Sequence, residues 1–315
     1  MGQIKSNSNI KTSFKKDFKC HFKLINSFQL HNDWVKSVSI FPSGKLISVS
    51  SDKTIKIFDL SFKIIQTIEK AHDKNIINVN IKDENNFISC SYNDIKTWIK
   101  KNNKYTLNQY IENAHDKWIN KVIYCSNGNI ISCSRDKTVK IWEINNNKFQ
   151  LITILEHFNY VMSILLLENR NLLITSGFEG TKFYKIYQNG MNVFFNFHFN
   201  NVICSCWNAL DMIDEDRIII GGTDSFNVIS ITERKLLKKI KSSFRLNGIK
   251  IFENQKIFFI GGWSRNLLIF RSDDYKCLEI VNNAHDNYIN GFVNLKNNLI
   301  CSFSADKTIK IWLVY

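Results

Sequence analysis

The sequence predicts an all-β protein built from seven copies of one four-stranded antiparallel unit, and three observations carry that expectation. Histidines recur at His31, His72, His115, His157, His198 and His285, at intervals of 41, 43, 42, 41 and 87 residues, and a fixed period of this size marks a repeat architecture. The last interval is two periods, so a copy near Phe244 to Asn247 has lost its histidine. A hairpin pattern follows three of the histidines: Ser48-Val-Ser-Ser-Asp52-Lys-Thr-Ile-Lys-Ile-Phe58, Ser132-Cys-Ser-Arg-Asp136-Lys-Thr-Val-Lys-Ile-Trp142 and Ser302-Phe-Ser-Ala-Asp306-Lys-Thr-Ile-Lys-Ile-Trp312. Alternating apolar residues on both sides of a tight Asp-Lys turn read as paired strands. No segment keeps a helical period.

In chain order, the copies begin near residues 31, 72, 115, 157, 198, 244 and 285. The third displays its strands most plainly, at Trp118 to Tyr124, Asn129 to Ser134, Thr138 to Ile144 and Gln150 to Leu155. The second is one residue shorter through Asn93-Asp94. Copies four to six are degenerate, with Glu179 and Ser264 at the place of the turn aspartate. The seventh copy ends at Tyr315, directly after its third strand, which would leave a sheet edge unpaired. The N-terminus is expected to supply the missing strand, because Phe18, Cys20, Phe22 and Leu24 alternate there with Lys19, His21 and Lys23. Residues 1–14 are then a flexible polar tail and residues 15–315 one domain.

Composition narrows the class. The chain has 315 residues, one proline, seven tryptophans and a formal charge of +14, enough length for a large core. Every apolar run is broken well short of the roughly 18 residues that span a bilayer, and no apolar signal core opens the chain, which points to a cytoplasmic protein. Eight cysteines lack CxxC spacing. The nearest pair, Cys204 and Cys206, should share one face of a strand, and all eight read as buried, reduced thiols. There is no HExxH, Walker loop or strand-linked GxGxxG, so neither an enzyme nor a cofactor or small-molecule substrate is indicated.

These motifs resemble the WD-repeat family of β-propellers, whose unit of about 40 to 45 residues carries a histidine near its start and Trp-Asp near its end. The resemblance covers roughly residues 18 to 315. It departs from the family pattern in lacking Gly before the histidines and in ending as Phe58-Asp59, Trp142-Glu143 and Trp312-Leu313. It implies a seven-bladed β-propeller of four-stranded antiparallel blades, closed by the N-terminal strand completing the last blade. It also implies that the repeated polar residues form structural hydrogen-bond networks rather than hydrolase triads: His31, Ser48 and Asp52; His72; His115, Ser132, Asp136 and Trp142; His285, Ser302, Asp306 and Trp312. One histidine per blade points a different way around a ring, so the set suits no metal.

In such a ring the histidine loop and the aspartate turn open on one face, the top. The residue three after each histidine and the residue before each turn aspartate should project there. The sequence places Trp34, Tyr92, Trp118, Arg135, Tyr160, Phe178, Trp263 and Tyr288 at those positions, and aromatic and arginine side chains are what binding hot spots use. Asp33, Asp73, Asp116 and Asp286 would add negative charge, favouring a basic or aromatic-rich peptide. The expected function is a non-enzymatic scaffold or adaptor holding other proteins in a multiprotein complex. The alternatives are a substrate-recognition subunit of a ubiquitin ligase and an RNA-associated propeller. Nucleic acid is disfavoured because Lys53, Lys56, Lys137, Lys140, Lys307 and Lys310 should scatter as a solvated face. Met1-Gly2-Gln3-Ile4-Lys5-Ser6 fits the N-myristoylation pattern at Gly2, and Lys5, Lys11, Lys15 and Lys16 would add the basic second signal for reversible membrane association.

Overall fold

The computed structural model describes residues 21–145, 148–187 and 192–315. The expected tail with Gly2, and Phe18 and Cys20 of the expected closing strand, lie outside them. Seven four-stranded antiparallel sheets follow one another around a ring, and the protein is an all-β seven-bladed propeller. Blade three runs through Ile119–Tyr124, Ile130–Ser134, Thr138–Asn145 and Lys148–Glu156, within two residues of the expected bounds. In every blade the first strand is innermost. These innermost strands touch their neighbours all the way round, blade seven against blade one included.

The ring closes through the chain ends. Phe22–Phe28 pairs antiparallel with Ile309–Val314 as the outer strand of blade seven. His21 and Tyr315 extend the ladder with reciprocal backbone hydrogen bonds of 2.8 and 3.1 Å. Phe22 packs edge-on against Phe259 of blade six at 5.2 Å, and Phe28 stacks on Phe62 of blade one at 3.7 Å. The closing strand therefore contributes aromatic packing to both neighbouring blades as well as hydrogen bonds.

The core is a ring of seven apolar clusters, one between each pair of adjacent blades. Stacking blades face to face buries both sides of the second strands, so Leu46–Ser50 and Ile130–Ser134 are buried at every residue. The alternation legible in the sequence is thus no in/out code there; the intervening Ser and Cys are buried too. Inner strands are further tied by side chains reaching to the next blade. Asn120 Nδ2 donates to the Val161 carbonyl at 2.7 Å, Asn290 Nδ2 to Val35 at 2.8 Å and Asn294 Nδ2 to Ile251 at 2.6 Å. A bulge interrupts the pairing of third and fourth strands at the same place in blades one to three, beside Phe58, Trp98 and Trp142, where it adds local twist.

Blade five departs from the expected plan. His198 is not its opening histidine: it lies in the outer strand of blade four, Asn192–Phe199, held in register opposite Lys182. Its Nε2 is buried without a partner among the described residues. The innermost strand of blade five shrinks to Leu210–Met212, and the loop before it carries Trp207 and Asn208 into the central channel as a plug. Trp207 Nε1 donates to the Lys36 carbonyl of blade one at 3.3 Å, while its own carbonyl accepts from Ser163 of blade four at 2.9 Å. Asn208 Nδ2 donates to the Asn290 carbonyl of blade seven at 2.9 Å, and its carbonyl accepts from Ile249 N of blade six. Cys204 and Cys206 lie just before these two residues, outside any strand, and pack into the core between blades four and five. Both are buried free thiols, whereas Cys277, expected to be buried, is exposed.

Candidate functional site: the top face

The repeated polar residues form one relay in several blades. In blade three, Trp142 Nε1 donates to Ser132 Oγ at 2.9 Å, Ser132 lies 2.7 Å from His115 Nε2, and His115 Nδ1 lies 2.7 Å from Asp136 Oδ2. An indole only donates, so the serine gives its own hydrogen to Nε2, and the ring proton stays on Nδ1 facing the carboxylate. Blade seven repeats this arrangement with Trp312, Ser302, His285 and Asp306. Blade one keeps Ser48, His31 and Asp52 at 2.8 and 2.9 Å, but Phe58 replaces the indole donor.

Blade two holds the same relay: Trp98 to Ser89 at 2.8 Å, Ser89 to His72 at 2.7 Å and His72 to Asp94 at 2.9 Å. Only His72 of this relay is plain in the sequence, because the shortened turn hides the alignment. The signal was present, since the serine follows the histidine by 17 residues in blades one, two, three and seven. In blade four Glu179 takes the aspartate role, 2.5 Å from His157 Nδ1, and is also 2.6 Å from Lys182.

Burial alone would raise the aspartate pKa values. Hydrogen bonds from histidine, threonine and backbone amides outweigh it and hold Asp52, Asp136 and Asp306 far below the usual carboxylate range. Burial keeps His72, His115 and His285 below their ordinary pKa, consistent with the neutral ring the relay requires. His157 is lowered from 6.5 to about 4, by burial first and then by Lys182. Every one of these folded-state values is depressed, so each group stabilises the fold above its unfolded pKa and that stability is lost as pH falls. Urea melts should be level between about pH 7 and 8 and decline from about pH 6.5 as the histidines protonate, His157 alone contributing up to about 3 kcal/mol. The aspartates follow below about pH 4. A His157→Gln variant should show a shallower decline between pH 6.5 and 4; an identical slope would contradict this.

Lysines beside the relay are not a solvated face. Lys56, Lys140 and Lys310 each donate Nζ to the carbonyl preceding a relay histidine: Leu30 at 2.6 Å, Ala114 at 2.8 Å and Ala284 at 2.8 Å. Lys53, Lys137 and Lys307 are exposed turn residues at positive φ.

The relays hold the histidine loops and hairpin turns in place, and the two top-face position sets are bonded to each other. The amide of the residue before the turn donates to the carbonyl of the residue just before the inner strand: Ser51 to Trp34, Arg135 to Trp118, Phe178 to Tyr160, Trp263 to Arg245 and Ala305 to Tyr288. Their side chains surround a cavity of about 680 Å³ that includes Trp34, Trp118, Arg135, Trp263 and Tyr288. Trp263 stacks on Tyr288 at 5.2 Å, Trp34 meets Tyr288 edge-on at 6.4 Å, and Trp263 is 51 % exposed. Tyr92, Tyr160 and Phe178 flank the cavity: Tyr92 is edge-on to Trp118, and Tyr160 to Phe178.

Lys36, Arg245 and Trp207 belong to the same cavity and were missed in the sequence. Arg245 occupies the position of Trp34 and Trp118, but its blade has no histidine from which to count. Counting 18 residues back from Trp263, as from Phe178 to Tyr160, reaches it. Trp207 lies on the plug, which separates this cavity from one of about 720 Å³ toward the other end of the channel, lined by Asn208 and Asp211. The top cavity is thus a cup with a floor.

Charge in the cup runs opposite to the expectation. Among the described residues Asp33 is its one acidic side chain, with Lys36, Arg135 and Arg245 in the same lining. Asp73, Asp116 and Asp286 are exposed and lie outside the cup. The amides of Asp116 and Asp286 cap the relay carboxylates, which fixes those residues beside the histidine loops, away from the axis. Among the described residues no group of three His, Cys, Asp or Glu is arranged to hold a metal, and no helix is long and apolar enough to cross a membrane.

A seven-bladed ring with histidine-to-aspartate relays tying loop to turn defines the WD-repeat class of propellers. The family described as WD domain, G-beta repeat, matches residues 22–59 and 106–143, and the seven-bladed ring is consistent with that family. It is 43 % identical over 74 residues to Lissencephaly-1 homolog 1 of Paramecium tetraurelia, an overlap covering 22 % of this chain and 18 % of that protein. It is 45 % identical over 53 residues to nuclear distribution protein nudF 2 of Talaromyces marneffei, covering 16 % and 12 %. The chain thus matches less than a fifth of the length of these relatives.

Proposed function

We propose that the protein is a non-enzymatic interaction scaffold that holds segments of partner proteins in the top cup. The observation that carries this reading is the floored, aromatic-lined cup, whose walls are set by hydrogen bonds in four blades. Rigid walls let a partner bind with little ordering cost in the platform, and exposed Trp and Arg side chains give large contact area at low entropy cost. The kinship with nuclear distribution proteins spans less than two repeats, so their role is not carried over. Free thiols among the described residues suit a reducing compartment, in keeping with a cytoplasmic scaffold. A lipid on Gly2 would hold it at a membrane surface.

The test is affinity capture from the native cell with wild type and a Trp118→Ala/Arg135→Ala/Trp263→Ala variant that still melts cooperatively. A discrete protein set should be retained by the wild type and fall by about thirtyfold or more in the variant, the effect of losing a hot spot of about 2 kcal/mol. An unchanged set would move the working surface to the blade edges or the opposite face.

A further inference from the structure

The cup is aromatic and cationic at once, and its cations are not neutralised. Lys36 Nζ sits 4.3 Å from the Trp34 ring centroid and 5.6 Å from that of Trp207. The Arg135 guanidinium lies 5.5 Å from the Trp118 centroid, and that of Arg245 lies 5.3 Å from Trp263 and 6.0 Å from Phe178. The aromatic faces that would cage an incoming cation are therefore already covered by the protein's own. No carboxylate forms a salt bridge with Lys36, Arg135 or Arg245 among the described residues. The nearest acid, Asp33, uses Oδ1 to accept the Trp34 amide at 2.7 Å. Arg245 donates one terminal nitrogen to the Ser205 carbonyl, and its Nε is buried with no partner.

Like charges crowded in a low-dielectric cavity repel one another, and burial adds to that cost. Burial, together with Arg135, brings Lys36 down to about 8, against the pull of Asp33. Burial and then Arg245 lower Arg135 in the same direction. A carboxylate-bearing ligand entering from the open side would relieve this repulsion while its apolar parts cover Trp263 and Tyr288. The floor at Trp207 sets the depth, so the ligand enters and leaves by one side.

We propose that the cup recognises an acidic segment of a partner protein, Asp or Glu side chains reaching Lys36, Arg135 and Arg245 while the backbone lies across Trp34, Trp263 and Tyr288. This rests on the scaffold reading above and specifies its partner.

The test pans a library of short random peptides on the intact protein and measures enriched peptides by fluorescence anisotropy. Enriched sequences should carry net negative charge. Their affinity should fall by about tenfold or more in Arg135→Gln/Arg245→Gln and in about 0.5 M salt, and be largely kept in Arg135→Lys/Arg245→Lys, which retains the charge. The lysine variant keeps the test decisive if the glutamine variant does not fold. Enrichment of neutral or basic peptides whose binding still depends on Trp263 would overturn the acidic assignment and leave the cup reading standing. Peptides insensitive to Trp263→Ala and to the arginine substitutions, or no enrichment at all, would overturn both.

Discussion

A chain that starts at residue 29 should not fold cooperatively. Losing Phe22–Phe28 strips the outer backbone partners from Ile309–Val314, which keeps only its pairing with Leu299–Ser304, and leaves a long apolar edge open to association. It also removes Phe22 from its packing on Phe259 and Trp312, and Phe28 from its stack on Phe62, so blades six and one both lose contacts. A closed ring has no blade that can be lost independently. The cost should rival the whole stability of an ordinary domain, about 5 to 15 kcal/mol. Size-exclusion chromatography with a thermal melt would show aggregation and no two-state transition. Adding a synthetic peptide of residues 21–28 should restore part of the transition. A monomeric shortened chain melting within a few degrees of the full one would refute the closure argument.

Gly248→Ala is the second substitution with a large expected effect. Gly248 lies on the innermost strand of blade six, and a Cβ there would fall 2.5 Å from Gly291 Cα and 3.0 Å from Gly291 N in blade seven. Both neighbours are backbone, so no side chain can turn aside. The inner strands must part where Asn208 bridges them, its carbonyl bonded to Ile249 N and its amide to the Asn290 carbonyl. Overpacking of this kind costs about 3 kcal/mol, and here it also loosens the plug beneath the cup. Gly44→Ala is the comparison: nothing stands within 4 Å of its Cβ, and only its φ of +90° resists substitution, a cost of about 1 kcal/mol. Urea melts of the two should differ by about 2 kcal/mol. Equal losses would show that the inner strands have slack.

The period of the histidines and the Asp-Lys hairpins made the seven blades, their four strands and the closing N-terminal strand legible without coordinates, because each repeat must bury its faces against the next and so keeps the same residues at the same spacing. The relay residues of blades one, three and seven were legible for the same reason. Blade two was half hidden by one missing turn residue, although the constant 17-residue step to Ser89 survived it. His198 misled because its place in the period is right, while strand pairing to Lys182 holds it in the wrong blade.

The sequence by itself determined the ring, its repeat count and the aromatic positions on the top face, since these depend on local pattern and on one spacing repeated along the chain. Only the tertiary structure decided which of those side chains share a cup and what charge the cup carries. Lys36, Trp207 and Arg245 come from blades far apart in the chain. Trp207 reaches Lys36 of blade one from the loop before the three-residue inner strand of blade five. Convergence on an axis is a property of the closed ring, and no interval along one strand encodes it.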